Sequence, residues 1–230
     1  MKKTDPASLL AYGLHLGHKK TKVHPKSRQY IYKLENGTSI IDLFKTAELL
    51  DAAKEHMTAL AKDGKLVLFV GTKKVAREAL TELCSKYNLF NMTNKWVGGF
   101  LTNFQEVSKN IKAMNEMRQQ QTEGAWNALP KHERIALEKK LNKIASVYTG
   151  VAQMQALPDA LFIVDVKKER NALSEAMQLG IPTIAVTDTN VDPDDVTYPI
   201  PANDDAVTSV KFIVDEIVGS YVKKEAQKKD

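Results

Sequence analysis

Three short apolar runs constrain the fold of this chain more than any other feature. The runs are "LVLFV" at residues 66–70, "ALFIV" at 160–164 and "TIAVT" at 183–187. Unbroken apolar runs of this length are typical of strands buried on both faces of a parallel sheet. Because helical segments alternate with them, the sequence predicts an α/β fold with a Rossmann-like parallel sheet and helices on both faces. We assign residues 1–101 and 152–222 to this body.

Residues 102–151 interrupt this alternation. Apolar residues recur there at spacings of 4 and 3 in two segments, and a segment containing glycine and proline joins them. A period of 3.5 residues in two linked helices predicts an inserted antiparallel coiled-coil hairpin, which we expect to project from the body with a core of its own. Arg118 takes the next position of the first pattern. Such a hairpin offers helix faces to protein partners, and its predicted seam consists of Val107, Ile111, Met114, Leu137, Leu141 and Ile144.

Local signals predict several boundaries. Asp5, which precedes a proline, is a candidate N-cap of a first helix, and Asp42 is a candidate N-cap of a second. Asn36-Gly37 between two β-prone runs predicts a β-hairpin. We interpret the basic residues 15–28 as a loop, and the end of the chain, residues 223–230, as a flexible tail.

Charge is distributed unevenly along the chain, which carries a net charge of +5. Residues 1–34 hold eight Lys and Arg against one Asp, whereas residues 159–205 hold three against ten Asp and Glu. A strongly basic segment favours a polyanionic partner and says nothing about the fold. We therefore predict phosphate contacts from the basic loop to nucleic acid, through Lys19, Lys20, Lys22, Lys26 and Arg28.

Two further segments are candidates for RNA contact. "GTKKVAR" lies between a strand and a helix, where free backbone N–H groups favour a phosphate and Lys73, Lys74 and Arg77 add charge. The alternative for this segment is a solvated first helical turn. "NKWVGGFLTNF" combines Lys95 with Trp96, and the indole of Trp96 can stack on a base or pack the hinge of the hairpin. Composition alone favours packing for Trp96.

The motifs of common enzymes are absent from the sequence. No GxxxxGK[ST], GxGxxG, Gly-x-Ser-x-Gly or HExxH pattern occurs, and the sole cysteine, Cys84, has the surroundings of a core residue. No apolar run matches a signal peptide or a membrane span. We expect no catalysis, no required cofactor, no small-molecule substrate and no membrane contact. Two alternatives remain: a Rossmann-like enzyme using Asp165, Asp188 and Asp205 at strand ends, and a coiled-coil adaptor that binds only proteins.

Histidines and aspartates together suggest a structural metal ion. Neighbouring parallel strands would bring Asp188, Asp204 and Asp205 to one edge of the sheet, where they need a counter-charge. Of the histidines in the basic loop we choose His18, because Gly17 before it permits close backbone approach. One imidazole with two or three carboxylates could hold zinc or a similar divalent ion and clamp the loop to the body. The alternative is a neutral His18 hydrogen-bonded to an aspartate, with Asp204 capping a helix.

Seven motifs resemble the bacterial-type ribosomal protein S2 family, in the order of that family, between Leu9 and Tyr221. The motifs are "GLHLGHKKTKVHPK", "IIDLFKT", "LFVGTKKVA", "WVGGFLTNF", "LPDALFIVD", "LGIPTIAVTDTNVDPD" and "IPANDDA". The resemblance implies a structural component of the small ribosomal subunit with a Rossmann-like body and a coiled-coil hairpin. It also implies binding to small-subunit ribosomal RNA at the head–body junction, contacts with neighbouring proteins, a part in docking ribosomal protein S1, and no catalysis. We expect a cytoplasmic ribosome, with an organellar ribosome as the alternative.

Overall fold

A five-stranded parallel sheet forms the centre of the computed structural model, which describes residues 3–222. The predicted flexible tail, residues 223–230, lies outside the described residues. The helices in chain order are α1 (Pro6–Ala11), α2 (Leu43–Lys62), α3 (Lys74–Tyr87), α4 (Phe104–Thr122), α5 (Lys131–Tyr148), α6 (Arg170–Leu179) and α7 (Val207–Val222). The strands are β1 (Leu16–Lys19), β2 (Ile31–Glu35), β3 (Thr38–Ile41), β4 (Val67–Val70), β5 (Asn91–Met92), β6 (Ala160–Val164), β7 (Thr183–Thr187) and β8 (Tyr198–Pro201).

The parallel strands stand in the order β5-β4-β6-β7-β8. Numbered from one to five along the chain, this is the order 2-1-3-4-5 of a doubly wound sheet, in which the direction of winding reverses between β4 and β6. The prediction of an α/β fold with a parallel sheet is therefore confirmed. Ligands of such folds bind outside the carboxyl ends of the strands at this reversal, which directs attention to the turns after β4 and β6.

Apolar side chains of the central strands alternate between two cores. Val67 and Phe69 of β4 contribute to a core that includes residues of α2, α3 and α7, and Leu68 and Val70 contribute to a core that includes residues of α6. Each of these four strand residues is almost completely buried. Strands covered on both faces have no solvated side, which explains why the sequence of β4 is an unbroken apolar run.

Helices α4 and α5 form an antiparallel helical hairpin within the predicted segment 102–151. Asn115 on α4 donates to the Ala152 carbonyl, and Arg118, three residues later, donates to Thr149, three residues earlier. Because the contacts advance along α4 while they retreat along the chain that leaves α5, the two helices run in opposite directions. Their coiled-coil packing and the exact boundaries of the insertion remain predictions.

The expectation that the hairpin has a separate core is wrong. Ile111 and Met114 of α4 are buried in the same apolar cluster as Leu68 and Ile163 of the sheet. The return from the hairpin is also fixed to the sheet, because a Cβ at Gly150 would collide with the backbone carbonyl of Asn91. The base of the hairpin and the sheet therefore share one core.

The basic segment 15–28 is not an open loop, which corrects the prediction from the sequence. Leu16–Lys19 forms strand β1 of a small antiparallel sheet of order β1-β3-β2, and 3-10 turns cover Lys20–Lys22 and Pro25–Tyr30. The predicted β-hairpin joins β2 to β3, with Asn36 and Gly37 at φ 48° and 77° in its turn. Alternation in the sequence around residues 16–19 is too short to indicate a strand.

The predicted helix caps are confirmed. Asp5 accepts from the backbone N–H of Ala7, and Asp42 accepts from that of Phe44. Each carboxylate thereby satisfies an N–H group that has no partner within its helix. No helix formed by residues 3–222 has both the length and the apolar character that a bilayer crossing needs.

Candidate nucleic-acid interface

His18 lies against the acidic edge of the parallel sheet. Its Nδ1 is 3.0 Å from Asp188 Oδ2, and its Nε2 is 3.8 Å from Asp205 Oδ2. Its backbone N–H donates to Thr189 Oγ1 at 2.9 Å. A Cβ at Gly17 would lie only 2.7 Å from Thr189 Cγ2, so this close approach requires glycine at that position. Gly17, which led to the choice of His18, therefore does permit the close approach of this segment to Thr189.

A set of metal-ligand atoms converges here, although it differs from the predicted set. His18, Asp188 and Asp205 each present one ligand atom, and these atoms all lie within 4.8 Å of one another. Asp204, the fourth predicted ligand, is not a member of this group, and its carboxylate accepts from Lys73. Asp204 does not cap α7 either: Asn203 Oδ1 accepts from the backbone N–H groups of Asp205 and Ala206 at 2.8 and 3.1 Å.

Lys73 is the centre of a partly buried charge cluster and is not a free phosphate ligand. Its Nζ lies 2.9 Å from Asp165, 2.8 Å from Asp204 and 2.7 Å from Asp205. A phosphate beside this ammonium would meet three carboxylates. These contacts therefore disfavour a phosphate at Lys73, whose charge neutralises the acidic ends of the strands, and its contact with RNA stays a prediction.

The protein's own side chains cross the crevice at the reversal point of the sheet and leave a pocket of about 320 Å³ there. Glu169, which is 2% exposed, accepts from the backbone N–H of Thr72 at 2.8 Å. Lys168 Nζ donates to the Thr72 carbonyl at 3.0 Å, and Lys73 reaches Asp165 across the same gap. Because these contacts use the backbone groups and charges that a ligand would need, the geometry disfavours an enzyme with its site at the strand ends.

Burial and neighbouring charges shift four pKa values at this edge. The hydrogen bond to Asp188 raises the pKa of His18 above its usual range, and the hydrogen bond from Lys73 lowers that of Asp205. Burial raises the pKa of Asp204 to about 7, with repulsion from Asp165 adding to the shift. Burial alone would lower the pKa of Lys73, but its three carboxylate partners outweigh that effect and raise it.

Four predicted RNA-contact residues present unpaired positive charge to solvent. Their side chains are exposed and form no ion pair with any residue between 3 and 222. We call Lys19, Lys20, Lys22 and Arg28 the basic surface.

Lys26, predicted with that group, differs from it. Its Nζ is 2.8 Å from Asp192 and 3.1 Å from Asp194, which offset its charge and fasten the segment to the loop after β7. Ser27 donates to the Val191 carbonyl in the same contact. Lys26 therefore has a smaller part in attracting an anion than the members of the basic surface.

The second predicted group is exposed near the start of α3 and after β5. Lys74, Arg77 and Lys95 are exposed and form no ion pair among the described residues. Arg77 Nε donates to the Thr93 carbonyl at 3.1 Å, which orients the guanidinium without neutralising it. These three positive charges remain available to an anion.

Trp96 has the packing role that the composition of its segment favours, and a contact between Trp96 and RNA stays a prediction. It is 8% exposed, and its ring centroid lies 5.2 Å from that of Phe100. Its indole N–H donates to Glu175 Oε1 at 2.9 Å. Glu175 could not be identified from the sequence, because an acidic residue in a helix of mixed polarity has no signal that distinguishes it from a solvated one.

The model of the family described as ribosomal protein S2 matches residues 9–223 of this 230-residue chain. The match includes the basic surface, the acidic edge of the sheet and the helical hairpin.

Proposed function

Because this chain belongs to the ribosomal protein S2 family, whose members are structural proteins of the small ribosomal subunit that act in translation, we propose that it binds small-subunit ribosomal RNA mainly through phosphate contacts. The observation that carries the proposal is the basic surface of Lys19, Lys20, Lys22 and Arg28, four exposed cations without ion-pair partners among residues 3–222. Lys74, Arg77 and Lys95 extend it. When unpaired surface cations neutralise phosphates, they displace the counterions that are condensed on the nucleic acid. The release of these counterions drives association.

A matched pair of double variants tests this proposal. Lys20→Gln with Lys22→Gln removes two unpaired charges, whereas Lys26→Gln with Lys33→Gln removes two that are paired, the latter with Glu35 at 3.1 Å. Both variants change the net charge equally. We expect the first to reduce the slope of log K against log salt for ribosomal RNA by about 1.4–1.8, and the second to reduce it much less. Equal slopes in the two variants would remove the basic surface from the interface.

We also propose that the RNA contact lies at the junction of the head and body of the small subunit, and that the hairpin takes part in docking ribosomal protein S1. The exposed helix faces of the hairpin support the docking role, since Ile135 on α5 is 39% exposed. The shared core restricts the deletion that can test it. Replacing residues 119–137 by a Gly-Ser loop leaves Ile111 and Met114 in place. This variant should retain RNA binding and lose S1 from isolated subunits. Retention of S1 would contradict the docking role.

A structural divalent ion is a second proposal, supported by the convergence of His18, Asp188 and Asp205. One imidazole nitrogen and two carboxylate oxygens suit zinc, which would fasten strand β1 to the carboxyl edge of β7. Metal analysis of the purified protein should find close to one ion per chain, lost in His18→Ala and kept in His24→Ala. Metal content that is substoichiometric and unaffected by His18→Ala would contradict the metal site and leave a hydrogen bond between His18 and Asp188 in its place.

We place the protein on a cytoplasmic ribosome, with an organellar ribosome as the alternative. Fractionation of the source cells, with detection of the tagged chain in small subunits from each compartment, distinguishes the two. Sedimentation of the chain away from small subunits in every fraction would contradict both.

A further inference from the structure

A polar cleft of about 790 Å³ separates α3 from the helical hairpin. Its walls come from one face of α3, the segment around β5, and the last turns of α5 with the chain that follows. Its volume lies within the range of roughly 300–1,000 Å³ that is typical of ligand pockets. Neither the basic surface nor the acidic edge of the sheet contributes to it.

The charge of this cleft is entirely positive. Arg77 and Arg118 line it, and no acidic residue does. Arg77 Nε donates to the Thr93 carbonyl, and Arg118 donates to Thr149 Oγ1 at 2.6 Å. Both partners are neutral, and neither arginine forms an ion pair with a residue between 3 and 222. Two oriented guanidinium groups without counter-charge favour an anion, and guanidinium geometry suits phosphate in particular.

Arg118 is informative because of its place in the hairpin. It follows Ile111 and Met114 at the spacing of the apolar seam, so a coiled-coil pattern alone would place an apolar residue there. The chain instead has a half-buried arginine that donates to Thr149, another residue of the cleft lining. The seam thus changes from apolar to cationic where it borders the cleft.

The remaining lining groups suit the edges and faces of unpaired bases. Asn88 and Asn142 supply side-chain amides, which both donate and accept hydrogen bonds as base edges require. The amide nitrogen of Asn91, also in the lining, already donates to the Leu89 carbonyl at 3.2 Å. Phe90 is the aromatic residue of the lining, and aromatic side chains support stacking of unpaired bases. The cleft is also continuous with the proposed RNA-binding residues, because Arg77 belongs to both.

We propose that this cleft takes one or two unpaired nucleotides of small-subunit ribosomal RNA. A phosphate lies at Arg118 and Arg77, and the bases contact the asparagine amides. The inference rests on the proposed function, since it names a single-stranded subsite within an RNA-binding protein. An acidic segment of a neighbouring protein is the competing occupant, and the amide-rich lining and the continuity with Arg77 favour RNA over it.

Fluorescence anisotropy with the full chain tests the subsite. The probes are fluorescein-labelled decamers of uridylate and adenylate, and an RNA duplex of ten base pairs. Arg118→Gln, whose amide can still donate to Thr149, should weaken decamer binding about tenfold, as expected for loss of one charged phosphate contact. It should change duplex binding little. Arg134→Gln, on the same hairpin outside the cleft, should change decamer affinity less than twofold, and both variants should keep the wild-type unfolding midpoint.

The outcomes separate this inference from the proposed function. Equal decamer affinities for Arg118→Gln and Arg134→Gln overturn the subsite, as does a wild-type chain that binds ribosomal RNA but neither decamer. A wild-type chain that binds no RNA at all overturns the proposed function as well. Photo-crosslinking identifies the occupant in assembled subunits, with p-benzoylphenylalanine replacing Asn142. An adduct to RNA supports the proposal, and an adduct to protein overturns it.

Discussion

Trp96 and Glu175 are joined by a hydrogen bond of 2.9 Å from the indole Nε1 to carboxylate Oε1, which links the loop after β5 to helix α6. The same carboxylate accepts from the backbone N–H groups of Gly99 and Leu101, each at 2.9 Å. One side chain on α6 therefore organises the glycine-rich loop from which the hairpin begins. The orientation of the hairpin relative to the sheet depends on this contact as well as on the shared core.

Glu175→Ala should destabilise the protein and release Trp96. Removing the carboxylate leaves four N–H donors, those of Trp96 and of the backbone at residues 99, 101 and 102, without their acceptor. We expect the free energy of unfolding to fall by about 3 kcal/mol. Tryptophan emission in a Trp126→Phe background should shift to the red, because Trp96 then becomes accessible to water. Chemical denaturation and emission spectra provide the two measurements.

Glu175→Gln is the matched control for that change. Its amide oxygen can replace one acceptor, so it should lose less stability than Glu175→Ala and keep more of the blue-shifted emission. A Glu175→Ala variant with wild-type emission would mean that packing against Phe100 alone holds the indole.

Leu141→Ala tests whether the hairpin and the sheet share a core. Leu141 is 4% exposed and belongs to the same cluster as Leu68 and Ile163. We expect a loss of about 2–4 kcal/mol, with a single unfolding transition seen by far-UV circular dichroism and by tryptophan fluorescence alike. Ile135→Ala, on the same helix at an exposed position, should change stability by about 0.5 kcal/mol or less. Two separate transitions in Leu141→Ala would indicate independent cores.

The elements that the sequence predicted correctly are those in which one local signal decides the structure. The sheet follows from apolar runs such as Val67–Val70, and the turn at Asn36-Gly37 follows from backbone preference. Glycine at position 17 pointed to the histidine that contacts Asp188, because the close approach there is a local steric condition. Each of these signals acts over a few residues and needs no knowledge of distant partners.

The elements that the sequence missed depend on contacts between distant segments. Lys73 is 92 residues from Asp165, and nothing near "GTKK" indicates that carboxylates will neutralise it. Asp204 and Asp205 are adjacent in the sequence, and both pair with Lys73. Asp205 alone of the two is also within 3.8 Å of His18, a difference that depends on the local backbone conformation. Strand β1 forms because β3 supplies its hydrogen-bond partners, not because of its own composition.

His18 should stabilise the native state most at acidic pH. Its folded pKa is raised by Asp188 above the ordinary value of 6.5, so its stabilising contribution is complete below pH 6.5 and is lost as pH rises through the folded pKa. In chelator-treated protein, the stability difference between wild type and His18→Gln should be larger at pH 5.5 than at pH 8.5. Urea denaturation at both values measures it.

His56 provides a control, because its pKa is shifted in the opposite direction from that of His18. Burial lowers its pKa, and its ring stacks on Tyr198 at 4.2 Å between centroids. Protonation therefore opposes folding at His56, and His56→Gln should make stability less sensitive to a fall in pH below about 6.5. A His18→Gln variant with the same pH profile as wild type would show that His18 is not charged in the native state.

Asp204 should reduce stability as the pH rises from about 4 to 7. Burial raises its folded pKa to about 7, against an ordinary value of 3.8, so the native state holds a proton that the unfolded chain has already released. The free energy of unfolding then falls with rising pH in that window, by at most about 1.4 kcal/mol per pH unit.

Asp204→Asn keeps the shape of the side chain and should remove this slope, while Lys73 retains Asp165 and Asp205 as partners. Urea denaturation from pH 4 to pH 8, combined with a carbon-13 NMR titration of the Asp204 carboxyl, measures both consequences. Identical slopes in wild type and variant, or a carboxyl that titrates near pH 4, would mean that the ion pair with Lys73 outweighs the cost of burial.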